Sequence, residues 1–250
     1  MFQCASLGSG SKGNATLVRT PDTCLLVDCG FGLKETQSRL QAKGLSIDAV
    51  DAILVTHEHG DHSSGVARLA RRFDIPVWLS RGTALHRSCV DIDSTFPLVA
   101  ESTVRIGSIE ILPFTVPHDA REPLQFRFTH QQRHLGLVTD TGHFTQHMLD
   151  VLAPVSTLLL EFNHCPERLA QSRYPPSLRQ RIAGMHGHLS NQQALSVVAA
   201  GGLDSLESLV ALHLSEENNH PDQVEQMVTE VFSGHFQIAN QSDGFDWLTI

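Results

Sequence analysis

Residues 53–65 read ILVTHEHGDHSSG, an apolar run, Ile53-Leu54-Val55, that ends in His57, His59, Asp61 and His62. His57 and His59 stand two apart, where the period of an extended strand aims both side chains to one side. Gly60 then permits a sharp turn into Asp61-His62. The spacing predicts two ligand pairs facing two adjacent sites. Imidazole nitrogen together with carboxylate oxygen suits Zn²⁺, and also Mn²⁺ or Fe. A solvated polar loop is the plain alternative, and the apolar strand directly before the motif argues against it.

Two divalent ions need more ligands than four, so the rest of the chain should offer His or Asp at further strand ends. It does so three times. His118 follows EILPFTV, Asp140 ends HLGLVTD, and His213 lies in SLVALHLS. Each alone reads as an ordinary hydrogen-bonded residue; together with the motif they are expected ligands. Two ions roughly 3.5–4 Å apart acidify water and clamp a phosphoryl oxygen, which supports in-line attack and makes a phosphodiester the natural electrophile.

The elements that must position these residues follow from periodicity. Short apolar runs predict strands near 3–7, 15–19, 23–28, 50–56, 76–80, 108–116, 124–129, 134–139, 155–161 and 208–213. In 63–73, Val66, Leu69, Ala70 and Phe73 recur at helical spacing while Arg68, Arg71 and Arg72 take the other positions. Ser190 and Gln193 form a capping-box pattern for a helix that Gly201-Gly202 ends, and Pro221 opens another ahead of Val224, Met227 and Val228. Hairpins come first and helices join later, so two mixed sheets with helices outside are expected rather than a doubly wound parallel sheet. Residues 1–250 read as one domain of two pseudo-halves divided near residue 125.

Composition excludes several classes. The chain has 250 residues, 41% hydrophobic, enough for a large core. Its five cysteines are scattered without a CxxC pair, which fits a reducing cytoplasm. No signal peptide pattern or membrane-length apolar run occurs, so a cytoplasmic protein with no membrane partner is expected. The net charge of −9 disfavours long-range attraction to nucleic acid, although a local basic patch remains compatible with it. Such a patch is offered by residues 168–203, which hold Arg168, Arg173, Arg179 and Arg181 with Tyr174 and no acid, a composition suited to a polyanion running past a metal site. The glycine-rich SLGSGSKGN lacks P-loop spacing and reads as a tight hairpin turn bordering the site.

THEHGDH, a later strand-end His, TDTG and a final His ahead of Ser together resemble the metallo-β-lactamase superfamily. SLGSGSKGNATLV, VDCG, VPHDA, EFNH, RYPPSLRQRI, GHLSN and HLSEENN extend the resemblance across nearly the whole chain, to the YycJ/VicX-like branch, which is similar to the ribonuclease Z and cyclic-phosphodiesterase branches. The resemblance implies an α+β fold, a four-layer αββα sandwich. It implies that His57, His59 and His118 hold one metal and Asp61, His62 and His213 the other, with Asp140 bridging. Asp28 in VDCG would accept from a ligand imidazole. The branch usually reads Asn-His-Asp where this chain has Asn163-His164-Cys165, leaving His164 a possible site residue.

His188, just before the capped helix, is placed like the additional His of the nuclease branches, as proton donor to a leaving alkoxide, with Glu161 able to orient it. These two and Asp61 form the expected catalytic set; Arg173, Arg179 and Arg181 are the expected substrate contacts. The reading is a binuclear phosphodiesterase, an exonuclease on DNA. The rivals are a hydrolase of small cyclic phosphodiesters and a noncatalytic metal-binding regulatory partner.

Overall fold

The computed structural model describes residues 1–250. The first sheet is built from β1 (Gln3–Gly8), β2 (Ala15–Arg19), β3 (Cys24–Val27), β4 (Ala52–Val55), β5 (Val77–Leu79) and β6 (Thr95–Pro97). The second contains β7 (Val104–Ile106), β8 (Ile109–Thr115), β9 (Leu124–His130), β10 (Arg133–Val138), β11 (Thr157–Glu161), β12 (Ser208–Leu212) and β13 (His235–Ile238). The last strand, β14 (Phe245–Thr249), returns to the first sheet beside β1. The helices are α1 (Leu33–Ala42), α2 (Gly60–Ser63), α3 (Val66–Phe73), α4 (Arg81–Ala84), α5 (Gln146–Leu152), α6 (Pro166–Gln171), α7 (Pro176–Ile182), α8 (Asn191–Ala199) and α9 (Pro221–Thr229).

The layers follow from period-2 alternation. Along β3, Leu25 and Val27 enter the core between the sheets while Leu26 enters the core under α1 and α3. Along β11, Leu159 faces the inter-sheet core and Leu158 and Leu160 face the core under α5, α8 and α9. Both faces of each central strand are therefore buried, and helices cover both outer faces. This is the four-layer αββα sandwich. The chain passes from the first sheet to the second between Pro97 and Val104, upstream of residue 125. All ten expected strands occur. Four more, β6, β7, β13 and β14, lie at sheet edges. The helix expected over 63–73 is split, because the chain turns through α2 before α3 begins at Val66. The capping box at Ser190 and Gln193 is formed, and Pro221 opens α9. No helix is long and apolar enough to cross a membrane.

β3, β4, β5 and β6 run parallel, as do β10, β11, β12 and β13. β8 shares the direction of β10 because both are antiparallel to β9. The carboxyl ends of these strands therefore gather along one edge of each sheet.

Candidate metal centre

The expected ligands, and Asp28 with them, lie at or just beyond such ends. Asp28 directly follows β3, and His57 lies two residues beyond β4. His59 precedes α2, which carries Asp61 and His62. His118 lies beyond β8, Asp140 beyond β10, and His213 directly follows β12. Three of these residues have left-handed backbone, Asp28 at φ 61°, Asp140 at 48° and His213 at 55°. That conformation is uncommon for residues with a Cβ, and here it turns each side chain out of its strand's path into the space between the sheets. Two glycines make the packing possible. A Cβ on Gly30 would stand 1.9 Å from the Asp61 carbonyl, and one on Gly142 would stand 2.3 Å from Met185 in the loop that leads to His188.

The side chains form two groups that share Asp140. In the first, His59 Nδ1 lies 3.0 Å from His57 Nε2 and 3.2 Å from His118 Nε2. In the second, Asp61 Oδ2 lies 3.3 Å from His213 Nε2 and 3.5 Å from His62 Nε2. Asp140 Oδ2 is 2.8 Å from His62 Nε2 and 3.3 Å from His57 Nε2, reaching both groups. All the donor atoms of each group lie within 4.8 Å of one another. Tetrahedral zinc with bonds of about 2.0–2.1 Å holds its ligand atoms roughly 3.3 Å apart, so the spacing fits a transition-metal ion.

The opposite ring nitrogens are engaged away from the converging atoms. His62 Nδ1 donates to Asp28 Oδ2 at 2.7 Å, and His118 Nδ1 donates to the Gly187 carbonyl at 3.0 Å. Thr56 Oγ1 spends its only proton on Asp28 Oδ2 at 2.8 Å, so it accepts from His57 Nδ1 at 3.0 Å. His213 Nδ1 faces Asp140 Oδ1 at 3.0 Å and Glu161 Oε1 at 3.3 Å, both acceptors. In His57 and His118 the proton is thus held away from the centre, leaving Nε2 to ligate, while His62 and His213 turn Nε2 inward toward Asp140 and Asp61. The lone pairs of His57 Nε2 and His118 Nε2 converge with His59 Nδ1 at 3.0–3.2 Å, a spacing that a shared cation fills. The residues present fit divalent metal.

Electrostatics point the same way. Burial would raise Asp140 and Asp61, yet the neighbouring imidazoles, His213 and His62 for Asp140 and His62 for Asp61, hold both well below the usual carboxylate range. Burial would lower His62, but Asp140, Asp61 and Asp28 carry it well above its ordinary value. The second group therefore keeps its carboxylates ionised and its imidazoles protonated, and a divalent ion can take the place of those protons. His118, where burial outweighs Asp140, is pushed down to about 4 and stays neutral.

Glu161, the last residue of β11, is fully buried. It accepts from His188 Nδ1 at 2.7 Å, Thr141 N at 3.0 Å and Leu189 N at 3.1 Å. Burial raises this carboxyl, and His188 and His213 outweigh it, bringing it down to about 2. Burial lowers His188 in turn, and Glu161 and Asp140 carry it up to about 9. The Glu161–His188 pair expected from sequence is thus formed, with Nδ1 engaged and Nε2 left free, at the wall of a cleft of about 400 Å³. That cleft also takes in Asp61, Asp140, His213 and, from the segment around α7, Tyr174, Leu178 and Arg181.

Other expectations are separated. The arginines do not share one track. Arg181 lines the cleft but is paired with Asp119, Nη2 to Oδ1 at 3.1 Å. Arg179 lines a different cavity and donates to the Ala170 carbonyl, and Arg173 is exposed between α6 and α7. His164 also lines that other cavity and belongs to neither ligand group. Sequence reasoning missed Asp119, whose Oδ1 lies 3.6 Å from His118 Nε2. It also missed Thr56, the relay between Asp28 and His57. Adjacency to the motif residues His118 and His57 was the available signal for both.

The profile of the Beta-lactamase superfamily domain matches residues 23–214. The exodeoxyribonuclease YycJ of Bacillus anthracis is 36% identical over 90% of this chain and 87% of its own length. The exodeoxyribonuclease WalJ of Streptococcus pneumoniae is 34% identical over 87% of this chain and 83% of its own. Among solved structures, the metallo-β-lactamase fold protein YhfI of Bacillus subtilis superposes with a TM-score of 0.76 over 100% of both chains at 16% identity, a likeness of fold. On the match across residues 23–214 and the identity to YycJ and WalJ over most of its length, this chain belongs to the metallo-β-lactamase superfamily.

Proposed function

We propose that this chain is a metal-dependent phosphodiesterase that acts as an exonuclease on DNA, with residues 1–250 working as one domain. The observation that carries the reading is His188: its Nδ1 is tied to buried Glu161, its Nε2 is free, and it shares one cleft with Asp61, Asp140 and His213. His57, His59 and His118 would hold one ion and Asp61, His62 and His213 a second, zinc or manganese or iron, with Asp140 between them. Two bound divalent ions supply acidified water and neutralise charge on a phosphoryl oxygen. His188 holds a proton at Nε2 for the departing alkoxide, and Glu161 keeps the ring in that orientation. Tyr174 and Arg181 at the cleft, with Arg173 and Arg179 beyond it, contact the strand. The DNA assignment is supported by the exodeoxyribonuclease names of YycJ and WalJ. A cytoplasmic location belongs to the same proposal, supported by five cysteines that are all unpaired.

One observation favours a second reading, hydrolysis of small phosphodiesters: Asp119 already neutralises the arginine nearest the cleft, which thins the cationic path for a long polyanion. End-labelled duplex and single-stranded DNA, an RNA of the same sequence and bis(p-nitrophenyl) phosphate, each assayed with and without Mn²⁺, separate the readings. Processive loss of end label from DNA is the expected result; turnover of the chromogenic diester alone would remove the nuclease.

A further inference from the structure

The cavity beside the cleft is not used by the chemistry above. It measures about 380 Å³ and lies between α6 and α7, with Leu169, Ala170, Pro176 and Ala183 among its walls. His164 and Arg179 supply polar groups. His164 is only 2% exposed, and its Nδ1 is buried with no hydrogen-bond partner. Burial pushes the ring down to about 4, so at neutral pH it is uncharged, with one N–H and one lone pair to offer. A buried polar group without a partner is costly, and native structures rarely leave one so. The size lies within the range of small-ligand sites, as does the balance of apolar wall and few polar groups. α7 buries none of its own residues: it is a one-helix wall with this cavity on one side and the metal cleft on the other.

The ligand chemistry follows from the lining. Arg179 is the one cation of the lining and is tied to the Ala170 carbonyl, and the rest is a neutral imidazole, an amide and apolar side chains, a poor match for a phosphate and a better one for an uncharged ring. Imidazole, guanidinium and proline rings all pack against flat π faces, and His164 needs an edge with hydrogen-bonding groups. Of the parts of a nucleotide, the base alone has both. We propose that the cavity between α6 and α7 is a base pocket, which takes one unstacked nucleobase of the strand whose phosphodiester lies in the metal cleft. His164 bonds the base's edge, and Arg179, already anchored on the Ala170 carbonyl, covers the mouth. The inference rests on the nuclease reading. An enzyme working from a strand end meets the base that is easiest to unstack.

The test uses the metal-loaded protein and a phosphorothioate-protected duplex carrying 2-aminopurine, which brightens when unstacked, at successive positions from the end. Fluorescence should rise at one position only. It should be lost in Ala170→Phe and Ala183→Phe, which fill the cavity from exposed positions, and reduced in His164→Phe. An abasic nucleotide at the responding position should raise KM about tenfold for the native chain and leave Ala183→Phe unaffected, since a filled cavity has no base to lose. A duplex cut normally with no single responding position, or a response that survives both fillings, would overturn the base pocket while the nuclease stands. If free 2-aminopurine deoxyriboside alone responds, the cavity takes nucleosides and the strand proposal falls. If no nucleic acid is cut, the nuclease reading fails first, and the base pocket with it.

Discussion

Asp28→Asn tests how the centre is held together without touching any donor atom. Asp28 Oδ1 accepts from Thr56 N at 2.8 Å, and Oδ2 accepts from both Thr56 Oγ1 and His62 Nδ1. Asparagine keeps the size, tolerates the left-handed backbone at φ 61°, and can keep its oxygen on Thr56 N. Its amide nitrogen then replaces Oδ2 and faces His62 Nδ1. Two N–H groups cannot point at each other, so His62 moves its proton to Nε2, the atom that must ligate. The Thr56 hydroxyl has lone pairs for both the new amide and His57 Nδ1, so His57 keeps its tautomer. Only the ion of the Asp61–His62–His213 group should weaken. Loss of such a supporting partner costs roughly 10–100-fold in metal affinity, or about 1.4–2.7 kcal/mol. Zinc titrated against a graded series of chelators, with elemental analysis of the retained metal, reads this directly. The variant should give up one ion at 10–100-fold lower free chelator and hold the other much as the native chain does. Two ions retained with native affinities in a folded Asp28→Asn protein would refute the tautomer argument, and parallel weakening of both would mean that the two groups act as one unit.

His188→Ala should slow a natural dinucleotide diester by roughly 10²–10⁴-fold while sparing bis(p-nitrophenyl) phosphate, whose phenolate leaves without a proton; equal losses in kcat on both would assign His188 a structural role. Asp140→Ala should bring hydrolysis to background with the far-ultraviolet circular dichroism unchanged, because the second sheet is held by its apolar strands; turnover by a folded, metal-loaded variant would contradict a bridging role. His164→Phe should be more stable than the native chain, increasingly so as pH falls. The native ring titrates at about 4 folded and near its ordinary 6.5 unfolded, so the unfolded state binds the extra proton between those values and native stability falls across that window by about 2–3 kcal/mol. Urea melts of both proteins from pH 4 to 8 that run parallel would show that the ring is solvated in the folded state.

The cluster of His and Asp side chains was legible because its residues lie at or beyond the ends of strands whose own burial was legible. β4 reads AILV and β11 reads TLLLE, and every residue in both is buried. The strands that escaped notice lack that signature: β6 is exposed at all three positions, and β13 has no fully buried residue. The Asp28 contact with a ligand imidazole and the Glu161–His188 pair could be anticipated as chemistry. The full burial of Glu161 could not, since it depends on Thr141 and Leu189 from two other segments offering their N–H groups.

The arginine segment shows the opposite limit. Its lack of acids is a fact of composition, yet residues two apart on a helix do not share a face. Arg179 and Arg181 accordingly fall on different sides of α7, one toward the His164 cavity and one toward the cleft. The partner that neutralises Arg181 is Asp119, 62 residues earlier, and no local pattern announces a pairing at that separation. Positive charge counted along a sequence is therefore an upper bound on the charge a substrate meets. For this segment Arg179 and Arg181 are engaged and Arg173 is left exposed, so on the nuclease proposal much of the pull on a polyanion would have to come from bound divalent metal.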